Sequence, residues 1–303
     1  MLKLQGAFTA LITPMTNGGA VDWDGWKKLI DYQLEGGIDG LVPIGTSGET
    51  PTLDEHEEEK LIKIIVEKVN GKVPIIAGAG SNSTNHAVQY TKRAKDLGAD
   101  AALVVTPYYN KPNDSGLLRH FEELAKVGIP IIVYNIAGRA GRNIQTSLLE
   151  KIAQFPNIAG VKEASGDMQQ MSDVMCNVAI PRKGNFVVLC GDDGLTVPLM
   201  SLGGNGVISV ISNLLPSAVH KMTQYCIEGN FNEAAKIHFE LSPFVKAAFI
   251  ETNPVPIKAA LSMYGLPAGP VRLPLAPLSE SSEAIVKEAL EGLKKTGFLK
   301  EHL

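Results

Sequence analysis

One unit recurs along this chain: an amphipathic segment, a Gly-containing turn, then a short apolar run rich in β-branched residues. Leu34-Glu35-Gly36-Gly37-Ile38-Asp39-Gly40-Leu41-Val42 is one instance, and Leu97-Gly98-Ala99-Asp100-Ala101-Ala102-Leu103-Val104-Val105 is another. Val127-Gly128-Ile129-Pro130-Ile131-Ile132-Val133 and Leu202-Gly203-Gly204-Asn205-Gly206-Val207-Ile208-Ser209-Val210 repeat the pattern. Gly supplies a left-handed helix cap, and the strand follows within a few residues. Read this way, strands fall near 7–12, 39–43, 74–77, 101–105, 130–134, 158–162, 186–190 and 206–210. Helical patterns lie between them, such as 54–69, where Leu61, Ile62, Ile65, Val66 and Val69 share one apolar face. The strands are almost continuously apolar, as parallel strands covered by helices are. Eight such units in about 230 residues predict an α/β fold, a (β/α)₈ TIM barrel. An open, doubly wound sheet is the alternative, because counting strands does not show closure.

Past residue 229 the strand pattern stops. Residues 231–249, 255–264 and 280–296 read as helices, separated by Pro-containing loops such as 265–277. The expected organisation is a barrel over 1–229 carrying the active site, followed by a C-terminal helical region over 230–303.

Composition narrows the function classes. The chain has 303 residues, 45% hydrophobic and 20% charged, which is an ordinary globular balance. A net charge of −4 with interspersed signs argues against a nucleic-acid partner. No apolar run is long enough to span a bilayer and no signal-peptide pattern opens the chain, so no membrane role is expected. Cys176, Cys190 and Cys226 are odd in number and widely spaced. They form neither a disulfide framework nor a zinc-type pair, and a reduced, cytoplasmic protein is expected.

Catalytic residues of a barrel gather at the C-terminal strand ends. Gly45-Thr46-Ser47-Gly48-Glu49 follows the second expected strand and Tyr108-Tyr109-Asn110 the fourth. The fifth ends in Tyr134-Asn135 with Arg139 beyond, the sixth in Lys162-Glu163, and the seventh leads into Gly191-Asp192-Asp193. Lys162 follows Ile158-Ala159-Gly160-Val161, so its stem starts in an apolar barrel and its amine reaches the mouth. Desolvation disfavours an ammonium and favours the free amine, which can attack a carbonyl. The bland alternative is a lysine snorkelling to solvent. The 45–49 turn offers backbone N–H groups and two hydroxyls to a small carboxylate, or else its Ser and Thr cap the next helix. It lacks the spacing of a phosphate loop. Tyr134 and Tyr109 are candidate proton carriers or structural tyrosines. Arg139 can clamp a carboxylate or form a surface ion pair. The histidines at 56, 86, 120, 220, 238 and 302 lack metal-ligand spacing and read as helix-surface or satisfied side chains. Asp192-Asp193 is explained more simply as a helix N-cap than as a metal site. No metal is expected.

The combination resembles a known family. Gly45–Glu49, Thr106-Pro107-Tyr108-Tyr109-Asn110, Tyr134-Asn135 with Gly138-Arg139, and Gly160-Val161-Lys162-Glu163-Ala164 are similar, in order, to motifs of the dihydrodipicolinate synthase family. That family belongs to the pyruvate aldolase superfamily, with N-acetylneuraminate lyase. Glu251-Thr252-Asn253-Pro254-Val255-Pro256-Ile257-Lys258 is a further family-like stretch. The resemblance implies that Lys162 forms a Schiff base with pyruvate, so that no separate cofactor is needed. It also implies that Tyr134 shuttles protons and that Thr46 links it to Tyr109. It assigns Thr46 and Ser47 to the pyruvate carboxylate, Arg139 to the carboxylate of L-aspartate 4-semialdehyde, and Gly191 and Ile208 to the site lining. Tyr109 would enter from a neighbouring subunit, implying at least a dimer and commonly a homotetramer. The family often has Thr-Thr at 46–47, and Pro and Thr where Ala137 and Ala140 stand here. Lysine-inhibited members use equivalents of Asn82 and Tyr108 to bind L-lysine, with His at Glu55 and Glu58 and Glu at His86. The resemblance therefore implies weak or absent lysine inhibition. The rival readings are N-acetylneuraminate lyase or a sugar-acid aldolase or dehydratase, and a non-catalytic paralogue.

Overall fold

In a computed structural model that describes residues 4–299, eight parallel strands alternate with helices. The strands are β1 Gly6–Ala10, β2 Gly40–Val42, β3 Ile76–Gly78, β4 Ala101–Val105, β5 Ile131–Asn135, β6 Ile158–Glu163, β7 Val187–Cys190 and β8 Gly206–Ser209. Each lies within about three residues of its predicted position, the usual scatter of strand ends. β1 pairs with both β2 and β8, and the order runs β2-β1-β8-β7-β6-β5-β4-β3. The two ends of that order meet: Leu41 bridges Ile75, Leu41 N donates to Pro74 O at 3.0 Å, and Gly78 N donates to Pro43 O at 3.1 Å. The sheet is therefore a closed barrel, and the open doubly wound alternative is excluded.

Closure sorts the side chains. Because strand residues alternate between faces, Ile132 and Tyr134 of β5 join Phe8, Val42, Ile76, Leu103, Leu189 and Ile208 in an interior cluster. Ile131 and Val133 instead join the larger cluster between strands and helices. Lys162 shares a register row with Tyr134 and Leu189, which places it on the interior face. Where β8 meets β1, a Cβ on Gly206 would lie 1.9 Å from Gly6 O, so only glycine lets these strands approach.

The helices follow their sequence signals. Glu55–Val69 starts with a reciprocal capping box between Asp54 and Glu57, buries Leu61, Ile62, Ile65 and Val69, and ends at Asn70 in the left-handed region. Beyond the barrel, helices Phe231–Ala248, Val255–Tyr264 and Glu280–Lys295 match the predicted spans within one residue. Among the described residues no helix is long and apolar enough to cross a membrane.

The histidines hold one departure. His220 Nδ1 meets Asp39 Oδ2 at 2.9 Å, and His56 and His86 are exposed. His120 is neither exposed nor fully satisfied: Nδ1 meets Thr84 Oγ1 at 2.9 Å, while Nε2 is buried with no partner among the described residues. Helical periodicity places its face but not the neighbours it meets there. His302 lies outside the described residues. Burial pulls the His120 ring down from its ordinary 6.5 to about 4. Between those values the unfolded chain binds more protons, so stability falls as pH drops through that window, by about 3 kcal/mol in all. His120→Gln removes this dependence. In urea unfolding across the window, the wild-type advantage over the variant should shrink towards pH 4, and a pH-independent difference would refute the assignment.

Candidate active site

The closed barrel gathers eight strand ends around one mouth, and β5 and β6 bring Tyr134 and Lys162 there as lateral neighbours. Lys162 is only 5% exposed. Among the described residues its amine has no hydrogen-bond or ion-pair partner, and Nζ lies 4.3 Å from the Tyr134 ring centroid. That π face is worth about 2 kcal/mol to an ammonium when desolvated. An amine with no carboxylate partner remains available to a ligand. Space for it comes from the end of β7, since a Cβ on Gly191 would lie 3.1 Å from Lys162 Cε and 2.5 Å from Ala164 Cβ. The Tyr134 backbone carbonyl accepts from Thr106 N and Oγ1, both at 3.0 Å, while its hydroxyl bonds to no described residue. Ile208 of β8 packs in the same interior cluster as Tyr134.

The 45–49 turn is held on several sides. Gly48 N donates to Gly45 O at 3.0 Å, Thr50 Oγ1 to Gly45 O at 2.8 Å, and Thr13 Oγ1 to Gly48 O at 2.7 Å. Neither hydroxyl caps a helix: the following 3₁₀ turn has Glu49 at its N-cap without a side-chain bond, and Asp54 caps the helix beyond. The capping alternative is therefore excluded. Ser47 is buried and its Oγ accepts from Asn253 Nδ2 at 3.0 Å, while Thr46 Oγ1 bonds to no described residue.

Arg139 sits on the short helix Ala137–Ala140, exposed at the mouth. Its Nη2 donates to Asn253 O at 2.9 Å, and it forms no carboxylate pair among the described residues. The surface ion-pair reading is replaced by a backbone contact that leaves other guanidinium donors open. Tyr109 is separate from this group. It stands 89% exposed with φ at 71°, and this single chain does not bring it to Tyr134 or Thr46.

Asp192 and Asp193 divide their work. Asp192 Oδ1 accepts from Gly194 N at 2.8 Å, as an N-cap should. Asp193 does not cap: fully buried, its Oδ2 accepts from Val210 N at 2.9 Å and Ile211 N at 3.3 Å, tying the loop after β7 to the end of β8. Burial pushes its carboxyl above the usual range. Among the described residues no group of three or more His, Cys, Asp or Glu could hold a metal ion.

Two supports were not legible as functional. Glu163, on the face of β6 opposite Lys162, accepts from Asn135 Nδ2, Ser165 N and Gln170 Nε2 and so fixes β6 beside β5. Asn253, which touches both Arg139 and Ser47, belonged to a family-like stretch without a role; its distance in sequence hid the contact. Of the residues tied to a regulatory pocket, Asn82 O accepts from Asn110 Nδ2 at 2.7 Å, and Tyr108 is 37% exposed. Glu55 and His86 are exposed. Glu58 is buried in an ion pair with Arg93, whose guanidinium lies 4.9 Å from the Tyr90 ring. Burial pushes the Glu58 carboxyl up to about 7 against the pull of Arg93.

The chain as a whole has counterparts among known proteins. The model of the Dihydrodipicolinate synthetase family matches residues 3–293. The chain belongs to that family. It is 50% identical over 293 residues to a 4-hydroxy-tetrahydrodipicolinate synthase of Protochlamydia amoebophila, covering 96% of this chain and 97% of that one. A 4-hydroxy-tetrahydrodipicolinate synthase of Methanospirillum hungatei is 44% identical, with 94% and 98% covered. A dihydrodipicolinate synthase crystal structure from Thermotoga maritima superposes with a TM-score of 0.93 at 40% identity, with 98% and 99% covered.

In this member of the family, the space beside Gly191 makes a specific demand. Gly191→Val should leave the barrel folded by circular dichroism but displace the Lys162 stem, lowering kcat/KM on the order of 100-fold. Unchanged kinetics in a folded variant would show that the lysine does not need that space.

Proposed function

We propose that the chain catalyses the 4-hydroxy-tetrahydrodipicolinate synthase reaction, condensing pyruvate with L-aspartate 4-semialdehyde for lysine and diaminopimelate biosynthesis. The observation that carries the reading is the unpaired Lys162 amine beside Tyr134 at the barrel mouth, in a chain half identical to a relative of that name. Lys162 attacks C2 of pyruvate, the carbonyl oxygen leaves as water, and an iminium forms with no separate cofactor. The iminium draws electrons from C3, which loses a proton to give the enamine. The enamine carbon bonds to the aldehyde carbon of the second substrate as the aldehyde C=O π bond breaks; that oxygen takes a proton to become a hydroxyl, and the link to Lys162 returns to an iminium. The amine of that substrate then displaces Lys162 by transimination as the ring closes.

The surrounding groups divide the remaining tasks. Tyr134 carries protons to and from the reacting oxygen, supported by a hydroxyl free of other described partners. Thr46 relays them to Tyr109 of a neighbouring subunit, which accords with the exposure of Tyr109 in the single chain. Thr46 and Ser47 hold the pyruvate carboxylate, Arg139 holds that of the aldehyde, and Gly191 and Ile208 line the site. In this reading the barrel over 1–229 carries the chemistry and 230–303 supports it. The chain works in the cytoplasm as a homotetramer of paired dimers. In the Asn82, Tyr108, Glu55, Glu58 and His86 region, His86 stands where lysine-inhibited members carry the glutamate that pairs a lysine ammonium, and Glu58 is already paired with Arg93, so L-lysine inhibits weakly or not at all.

Steady-state assays separate this from its relatives. The enzyme should consume pyruvate with L-aspartate 4-semialdehyde, retain that rate in millimolar L-lysine, and leave N-acetylneuraminate and keto-deoxy sugar acids uncleaved. Sugar-acid cleavage with no turnover of the semialdehyde would overturn the acceptor assignment, and strong lysine inhibition would overturn the regulatory one.

A further inference from the structure

The Glu251–Lys258 stretch takes no part in the chemistry above, yet it reaches the carboxylate-binding turn from two directions. Lys258 lies on helix Val255–Tyr264 and is 1% exposed. Its three ammonium donors are all used: Nζ to Glu49 Oε1 at 2.6 Å, to Pro270 O at 2.7 Å and to Thr13 O at 3.1 Å. Glu49 is the last residue of the turn, and its other oxygen accepts from Arg272 N at 2.8 Å. Arg272 is itself fixed by both carboxylate oxygens of Glu57, at 2.6 and 2.7 Å, and by Gly19 O and Thr52 O. At the centre of the turn, Ser47 Oγ accepts from Asn253 Nδ2. We propose that Lys258 and Glu49, with Asn253, are positioning residues through which the C-terminal helices hold the Gly45–Glu49 turn in the geometry that binds the carboxylate of the 2-oxo acid.

Two features make this more than packing. Glu49 is a non-glycine residue with φ at 56° and ψ at 34°, a conformation that persists only where its surroundings impose it. The carboxylate of the same residue is the group Lys258 and Arg272 grip. Moreover, a buried ion pair gives little net stability over apolar side chains of similar volume. What the pair supplies here is direction: three donors on one nitrogen meet three oxygens from the first loop, the turn and the 270 loop. Lys162 and Tyr134 stand on β6 and β5, outside this network. Loosening it therefore weakens binding of the 2-oxo acid before it disturbs the amine.

The inference rests on the proposed carboxylate role of the turn, so the experiment carries a control for that role. Lys258→Met and the charge-free double variant Glu49→Leu/Lys258→Met are compared with wild type in steady-state kinetics and thermal unfolding, with Ser47→Ala in parallel. Both variants should raise KM for pyruvate at least about tenfold, with kcat at saturating pyruvate and KM for the aldehyde changed less than about threefold. A lowered Tm with KM for pyruvate unchanged would reduce the network to a structural one. Failure of the double variant to fold would overturn the proposal equally, since that variant leaves no lone buried charge to blame. If Ser47→Ala leaves KM unchanged while the Lys258 variants raise it, the hydroxyl reading of the turn fails and the clamp stands, acting through the backbone N–H groups.

Discussion

A parallel sheet that closes on itself has no free edge, and its eight C-terminal strand ends converge on one opening. The functional geometry depends on that closure. The Leu41–Ile75 bridge and its flanking hydrogen bonds complete the ring. β5, β6 and β7 then hold Tyr134, Lys162 and Leu189 in one register row facing the apolar interior. Desolvating a lone amine costs free energy, which the Tyr134 ring offsets only in part. The fold retains that unpaired amine at its mouth, where a carbonyl ligand can consume it.

The barrel alone does not finish the site. The turn after β2 takes its shape from Thr13 in the first loop and from Asn253, Lys258 and Arg272 in the C-terminal region. Asn253 also accepts from Arg139, so one residue touches the groups assigned to both substrate carboxylates. The helices after residue 229 are thus wired into the mouth rather than appended beside it.

How much of this could be read from the sequence depended on the range of the interaction. Helix and strand spans follow from local periodicity and caps, so Glu55–Val69 and the eight strands came out close to place. Lys162 was legible because a charged residue ending an apolar strand is locally anomalous, and the neighbouring motifs gave it a chemistry. Closure was expected from the number and size of the units but not demonstrated by them, since it depends on pairing between segments with no local signal; the Leu41–Ile75 bridge supplies it. Asp193 looked like its neighbour Asp192, a cap, because both follow a strand; only the fold shows that Asp193 reaches Val210 and Ile211. His120 and Asn253 were obscure for the same reason. Their partners, Thr84 and Ser47 with Arg139, lie 36, 206 and 114 residues away. Tyr109 stands exposed and apart from Tyr134 and Thr46 in the single chain, so its proposed place in a relay rests on the family resemblance and on a neighbouring subunit.

The amine of Lys162 as the covalent attachment point for pyruvate is the claim on which the other roles hang. The most direct measurement is borohydride reduction of the protein in the presence of pyruvate, followed by peptide mass spectrometry. A single reduced pyruvyl adduct on Lys162, absent without pyruvate and absent from Lys162→Ala, is the expected result. An unmodified Lys162 under those conditions, or an adduct on another lysine that persists in Lys162→Ala, would contradict it.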